Sequence, residues 1–429
     1  MGKKNKNKSS KGNAFSSAVV IIIIIAGVIL LGMMYFYQKN KELEIKDYLA
    51  QLNAEDEAEE ESEEESESAL IEEIESDYSF YEKLSAGYDV NILVIGDSTG
   101  AGSGASSSEN RWYNLLSSYL EETYMDGTEF DGDITVTNIS VSGGTAYSGY
   151  VRLSGFDDGL SYDLAIICCG ENDTEETFAQ YFEALVRMVT GRYEGISVIA
   201  VLESSQLASM DISYMDGESE NELSDESYTA KMTAINEICA YYGLQTADTI
   251  AAFVNSGYSY DELSDDGVYP NDTGQQVYLD AIADVIAENV EAGTGKTKTG
   301  YELYTEGAAG YENYAWYTAE DPDEDEEASE NAFVLSDGTV YTLTLSDEDA
   351  IGEVCTIGID YSYISGDNYA EIYIDGELYR TLDYTYGGDS SLRHIQIIGT
   401  ETEVGSEISV VFASEEEAEG FNGICISWE

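Results

Sequence analysis

The chain has 429 residues, with 86 Asp or Glu against 18 Lys or Arg and a formal net charge of -68. The length points to two or three units, and an apolar share of 43% is enough to build their cores. The charge speaks against nucleic acid as a partner, since phosphate binding needs clustered Lys and Arg, and one histidine with five scattered cysteines speaks against a zinc site or a disulfide framework.

Lys3, Lys4, Lys6, Lys8 and Lys11 make residues 1–17 a basic tail. A nearly unbroken apolar run follows at 18–37. About 20 apolar residues are what a helix needs to cross a bilayer. The alternative is a cleavable signal peptide. Against it stand the length of the run and the lack of a clean A-x-A site after it. The leading lysines outnumber Lys39, Lys41 and Lys46 behind the run. A single-pass cell-membrane anchor is therefore expected, with the N-terminus cytoplasmic and everything after residue 38 extracellular. Residues 38–87 read as a spacer, a polar helix extension followed by a Glu/Ser tract whose like charges repel and extend the chain.

From 88 to 292 apolar strand patterns alternate with helical ones. Strands are expected at Asp89–Ile95, Ile134–Ile139, Asp163–Cys169, Gly195–Leu202 and Leu244–Ala247. Helices are expected at Arg111–Tyr124, Phe178–Val189, Ser227–Tyr242 and Val277–Val290. This alternation predicts an α/β fold with a parallel sheet covered on both faces. Cys168 and Cys169 end an apolar run and read as buried thiols. Residues 293–300 form a Gly/Thr/Lys linker. Residues 301–429 then change to short Tyr-rich runs with period-two alternation, the pattern of an all-β sandwich. Expected strands are Val340–Leu345, Val354–Tyr361, Ala370–Ile374, Glu377–Leu382, Ile395–Ile398, Ile408–Phe412 and Ile424–Trp428, with a hairpin turn at Asp375-Gly376. Cys355 and Cys425 lie in two of these strands, where a disulfide would be compatible with the pattern. Tyr301, Tyr304, Tyr311, Tyr314, Trp316 and Tyr317 crowd one segment, as core and cross-strand pairs or as a sugar-stacking surface. The acidic stretch Asp321–Glu330 reads as a solvated loop; calcium is the alternative, though the stretch lacks the glycine of an EF-hand loop.

In such sheets ligands bind at the carboxyl ends of the strands, and four motifs fall there. Gly96-Asp97-Ser98 follows the first strand, where a serine on a tight turn exposes its hydroxyl beside backbone N–H groups. Asn138 to Thr145 (NISVSGGT) follows the second, with glycines that let backbone N–H approach a substrate oxygen. Gly170-Glu171-Asn172-Asp173 follows the third. Asp266-Gly267-Val268-Tyr269-Pro270-Asn271 precedes the closing helix. Each motif alone also reads as an ordinary turn or helix cap.

Taken together, in order, spacing and context, they resemble the SGNH/GDSL hydrolase family over about residues 88–292. The resemblance implies a flavodoxin-like three-layer α/β/α fold with Ser98 as nucleophile. It implies an oxyanion hole from the Ser98 and Gly143 N–H groups and the Asn172 side chain, with Asp266 as triad acid and no cofactor. The family's catalytic histidine position holds Tyr269. A phenol titrates near 10 and is a poor base at neutral pH, unlike imidazole. Replacement bases to consider are a deprotonated Tyr269, Asp266 acting directly, Glu203, or His394 from the second domain. Two functions follow. One is an esterase acting on O-acyl, especially O-acetyl, groups of cell-envelope glycans. The other is an inactive scaffold that binds a surface glycan or acylated ligand.

Overall fold

A computed structural model of the chain describes Lys39, Lys41 and residues 78–428, except 126–127, 129, 131, 204–225, 299, 301, 321–328, 330–331, 336–337, 345–353, 363–368, 384–392 and 404–406. The expected membrane helix at 18–37 lies outside the described residues. Among the described ones, no helix is long and apolar enough to cross a membrane. Of the acidic loop 321–330, only Ser329 is described.

The apolar runs become parallel strands β1 (Val90–Gly96), β2 (Ile134–Asn138), β3 (Leu164–Cys168), β4 (Ser197–Leu202) and β5 (Gln245–Asp248), in the order β2-β1-β3-β4-β5. The main helices are α1 (Phe80–Ala86), α2 (Trp112–Leu120), α3 (Ala146–Gly155), α4 (Glu175–Arg192), α5 (Glu226–Tyr242) and α6 (Asp272–Ala292). Side chains alternate across a strand, so each strand feeds two cores. Ile92, Val94, Leu164, Ile166, Ile199 and Val201 pack with residues of α1, α2 and α6. Leu93, Ile95, Ala165, Ile167, Val198 and Ala200 pack with residues of α3, α4 and α5. Apolar side chains buried on both faces explain why these strands read as continuous hydrophobic runs. The helix α3 was not among the expected helices. It is short, most of it is buried, and its Ser, Gly and Tyr residues carry little helix signal.

The chain enters α1 through a capping box between Ser79 and Glu82. Ser79 Oγ also donates to Thr294 O at 2.6 Å, which pins the start of the 293–300 segment to the first helix.

Among the described residues beyond 300 lies a β-rich domain of nine strands: β6 (Asn313–Glu320), β7 (Phe333–Leu335), β8 (Val340–Thr344), β9 (Val354–Ser362), β10 (Tyr369–Ile374), β11 (Glu377–Asp383), β12 (Arg393–Glu403), β13 (Glu407–Phe412) and β14 (Phe421–Trp428). The order is β11-β10-β13-β8-β7-β6-β14-β9-β12, and β6 and β7 were not anticipated. Leu343, Ile372 and Val410 from one half share a core with Ile359, Ile424 and Ile426 from the other. The β10–β11 hairpin turns at Asp375 and Gly376, both with positive φ (48° and 79°), as a two-residue primed turn requires.

The outer face of β6, β14, β9 and β12 covers α3. Cys425, whose neighbours Ile424 and Ile426 enter the β core, points the other way into the α/β core and stands 3.7 Å from Ser154 Oγ. Cys425 is a free buried thiol, so the disulfide with Cys355 does not form. The register explains this: Cys425 lies opposite Gly358, while Cys355 lies opposite Trp428. Tyr147, Tyr150 and Tyr181 meet Tyr311 edge-on, and Tyr150 Oη donates to Tyr311 O at 3.2 Å. Of the crowded aromatics, Tyr311 and Tyr317 are buried, Trp316 packs on Gly155, and Tyr304 and Tyr314 remain exposed. Tyr301 lies outside the described residues. His394 lies in β12 in register with Tyr361.

Gly358 is the tightest point of this junction, since a Cβ there would fall on the Tyr147 hydroxyl. Replacing it with valine should cost about 1–3 kcal/mol through overpacking. Chemical denaturation of the Gly358→Val variant beside the wild type measures that cost.

Candidate active site

Ser98 begins the turn that leaves the carboxyl end of β1, and it is buried. Gly143 N–H donates to Ser98 Oγ at 2.9 Å, and Ser142 Oγ stands 3.2 Å away. Gly143 has φ 78°, a left-handed conformation that favours glycine, and its Cα faces open space. Two of the expected groups are thus in contact. The third, Asn172, donates Nδ2 to Gly144 O at 3.1 Å, which ties the third loop to the Gly143-Gly144 turn. The loop after β2 is joined to the first in turn, since Asn138 Nδ2 donates to Gly100 O at 2.8 Å.

Tyr269 occupies the position facing Ser98. It lies near enough to Ser98 and to the Glu171 carboxyl for each to act on the titration of its phenol. Burial raises the phenol pKa above its ordinary value, the Ser98 hydroxyl opposes that, and the negative charges of Glu171, Asp97 and Asp266 raise it further. This environment favours the neutral phenol over a deprotonated Tyr269.

Asp266 does something other than orient a ring. Its Oδ1 accepts from the backbone N–H groups of Val268 (2.8 Å) and Tyr269 (2.9 Å) and from Ser264 Oγ (3.2 Å). These bonds hold its carboxyl below the usual range and shape the turn that presents Tyr269. The turn is locked from the other side by Gln275, whose Nε2 donates to both Ser103 O and Pro270 O at 3.0 Å. Gln275 is buried and joins the Ser98 loop to the Tyr269 loop. Only its spacing after Pro270 in the closing helix could have suggested this.

Behind Ser98 lies a layer of buried acids. Asp97 accepts from Thr99 N (2.9 Å) and from Glu171 N (3.4 Å). Its carboxyl neighbours that of Glu203, at the end of β4; burial and the Glu171 charge raise the Asp97 pKa while Glu203 lowers it, and burial and the Asp97 charge raise that of Glu203. Glu203 is thus committed to the layer behind Ser98. Asp173 accepts from Ala146 N at 3.0 Å, capping α3, and burial pushes its pKa up to about 7. Burial likewise pushes Glu171 up to about 7, against the Tyr269 hydroxyl and Lys231, which lower it. Lys231, itself buried, donates to Gly170 O and Asp173 O. Among the described residues, no group of His, Cys, Asp and Glu is arranged to hold a metal ion.

Comparison with known proteins agrees with this geometry. Residues 94–277 match the GDSL-like Lipase/Acylhydrolase family, so the central α/β domain is a GDSL-like hydrolase domain. Among solved structures, a two-domain esterase active on acetylated mannans, co-crystallised with mannopentaose, is similar with a TM-score of 0.57 and 18% identity. The match covers 84% of this chain and 94% of that one. A second structure of a two-domain esterase active on acetylated mannans gives a TM-score of 0.57 at 18% identity, covering 84% of this chain and 95% of that one. An acetyl-xylooligosaccharide esterase from Geobacillus has a TM-score of 0.38 and 18% identity, over 47% of this chain and 96% of that one. The first two matches span more than the central domain, so the pairing of an α/β and a β-rich domain is a shared fold. No curated protein matches the chain.

The acid layer has a thermodynamic signature. Glu171 and Asp173 have folded-state pKa values near 7, above their unfolded values of about 4. The folded form then binds more protons in that window, so their contribution is full below about pH 4 and is lost as pH rises through about 7. Thermal unfolding should show a Tm that falls between about pH 5 and about pH 8, and a Glu171→Gln variant should show a smaller fall.

Proposed function

We propose that the protein is a serine esterase that removes O-acetyl groups from glycans, with Ser98 as nucleophile. The observation that carries this is the Gly143 N–H held 2.9 Å from Ser98 Oγ at the end of a parallel strand. An N–H placed there stabilises the oxyanion that forms when Ser98 attacks a carbonyl carbon. The Ser98 N–H and one Asn172 N–H complete the oxyanion site in this reading. Asp266 supports it by fixing the turn beneath Tyr269. The fold shared with a two-domain esterase active on acetylated mannans supports a glycan ester as substrate class. The C-terminal domain, read as a β-sandwich, covers α3 and so braces the oxyanion turn from outside. The apolar run at 18–37 and the lysine asymmetry around it support a single-pass anchor that holds both domains on the extracellular side.

A second reading, a scaffold that binds an acylated glycan without turnover, draws support from the neutral phenol at Tyr269. The two separate in one assay on the full chain. Acetate release from acetylated mannan oligosaccharide and from p-nitrophenyl acetate should drop about 10³-fold or more in Ser98→Ala. If wild type shows no Ser98-dependent release while Tyr269→His gains it, the binding reading replaces the esterase one.

A further inference from the structure

Tyr311 and Tyr317 are taken up by packing, but Tyr314 is 40% exposed. It lines a cavity of about 730 Å³ where the end of α3, the last turns of α4 and the start of β6 meet. Pockets of ~300–1,000 Å³ are the size that encloses a small ligand. The cavity lies away from Ser98. Helix α3 begins three residues after Gly143 and runs ten residues to Gly155, which lines the cavity. At about 1.5 Å per residue, the helix separates the two places by about 15 Å.

The lining combines ring surface with hydrogen-bonding side chains that are already held in place. Phe156 and Tyr314 supply the rings, and Tyr150 meets the Tyr314 ring edge-on with centroids 6.2 Å apart. Arg187 donates to Glu312 Oε1 at 2.7 Å and to Tyr242 Oη at 3.2 Å. Arg192 donates to Leu153 O and Phe156 O at the end of α3. Asp157 Oδ1 accepts from Gly159 N at 3.1 Å. Side chains fixed in this way lose little freedom when a ligand arrives.

The charges on the lining nearly cancel. Arg187, Arg192 and Lys298 stand against Asp157 and Glu312, so donors and acceptors are offered together. A net charge of -68 on the chain disfavours a polyanion as ligand. The fitting ligand is uncharged, carries many hydroxyls, and has an apolar face to lay on a tyrosine ring. A sugar chain has all three properties.

We propose that this cavity binds a neutral oligosaccharide at a site separate from Ser98, with Tyr314 as the stacking surface and Arg187 and Glu312 as hydrogen-bonding partners. The site goes beyond the esterase reading and needs no turnover at Ser98.

The test is isothermal titration calorimetry of the full chain with unacetylated pentasaccharides of mannose, glucose and xylose. At least one should bind with a Kd below about 1 mM. Tyr314→Ala and Arg187→Met should each weaken that binding about 10-fold. Tyr304→Ala removes another exposed tyrosine, which lies outside the cavity lining, and should leave the Kd unchanged. Circular dichroism confirms that each variant is folded. If none of the three sugars binds, if either cavity variant binds as tightly as wild type, or if Tyr304→Ala weakens binding as much, the cavity is not a sugar site. Acetate release at Ser98 is read separately, so either outcome here leaves the esterase reading to its own assay.

Discussion

The buried carboxyl of Asp97 holds the first and third strand-end loops together. Its own N–H is bound by Cys168 O at 2.9 Å, its oxygens receive Thr99 and Glu171 N–H groups, and its outer side meets Glu203. A carboxyl in such a place would be expensive if ionised and alone. A raised pKa, which favours its neutral form, makes it tolerable, and backbone donors make it directional. The Ser98 turn cannot shift without disturbing the Glu171 loop. The positions of the Ser98 turn and the Glu171 loop are therefore set in a buried polar layer. Gln275 does the same from the other flank with neutral chemistry.

Helix α3 links the two domains to this layer. It begins three residues after Gly143, is capped by Asp173, and is largely buried. One side meets Ile95 and Leu185 across Gly149. Another meets the β-rich domain through Tyr147, Tyr150 and Gly155. The ten residues of α3 include two Gly, two Ser and two Tyr, which carry little helix signal, and it escaped recognition. The tyrosines that crowd 311–317 belong to the same enclosure. The sequence pattern left core pairing and sugar stacking both open, and burial of Tyr311 and Tyr317 assigns those two to packing.

Much of the α/β domain was legible because burial on both faces forces strand residues to be apolar. The runs ending at Gly96, Cys168 and Leu202 needed no tertiary information to be read as strands. The motif resemblance implied a flavodoxin-like three-layer fold, and the order β2-β1-β3-β4-β5 came only with the structure. The site was legible only in part. Ser98 and Gly143 meet as the motifs imply, but the motifs say nothing about Glu171, which stands beside Asn172 in the same tetrapeptide. Its importance comes from burial and from a neighbour almost a hundred residues away, and neither leaves a trace in local sequence. Asp266 shows the converse. Its motif position implied a partner for a ring nitrogen, and with a phenol there the carboxylate turns back to its own backbone. Strands β6 and β7 were missed because β6 mixes faces that pack on two different domains and β7 is only three residues long.

The glycine-rich segment at 293–300 resembles a module boundary, a place where evolution might exchange one appended domain for another. The Cys425 and Gly358 contacts change that view. Any replacement domain would have to present a cysteine-sized side chain and a bare backbone to the same tyrosines, in the same register, or leave Tyr147 and Tyr150 facing water. Descent should therefore transmit the two halves as a pair, and the junction should vary more slowly than the linker that joins it.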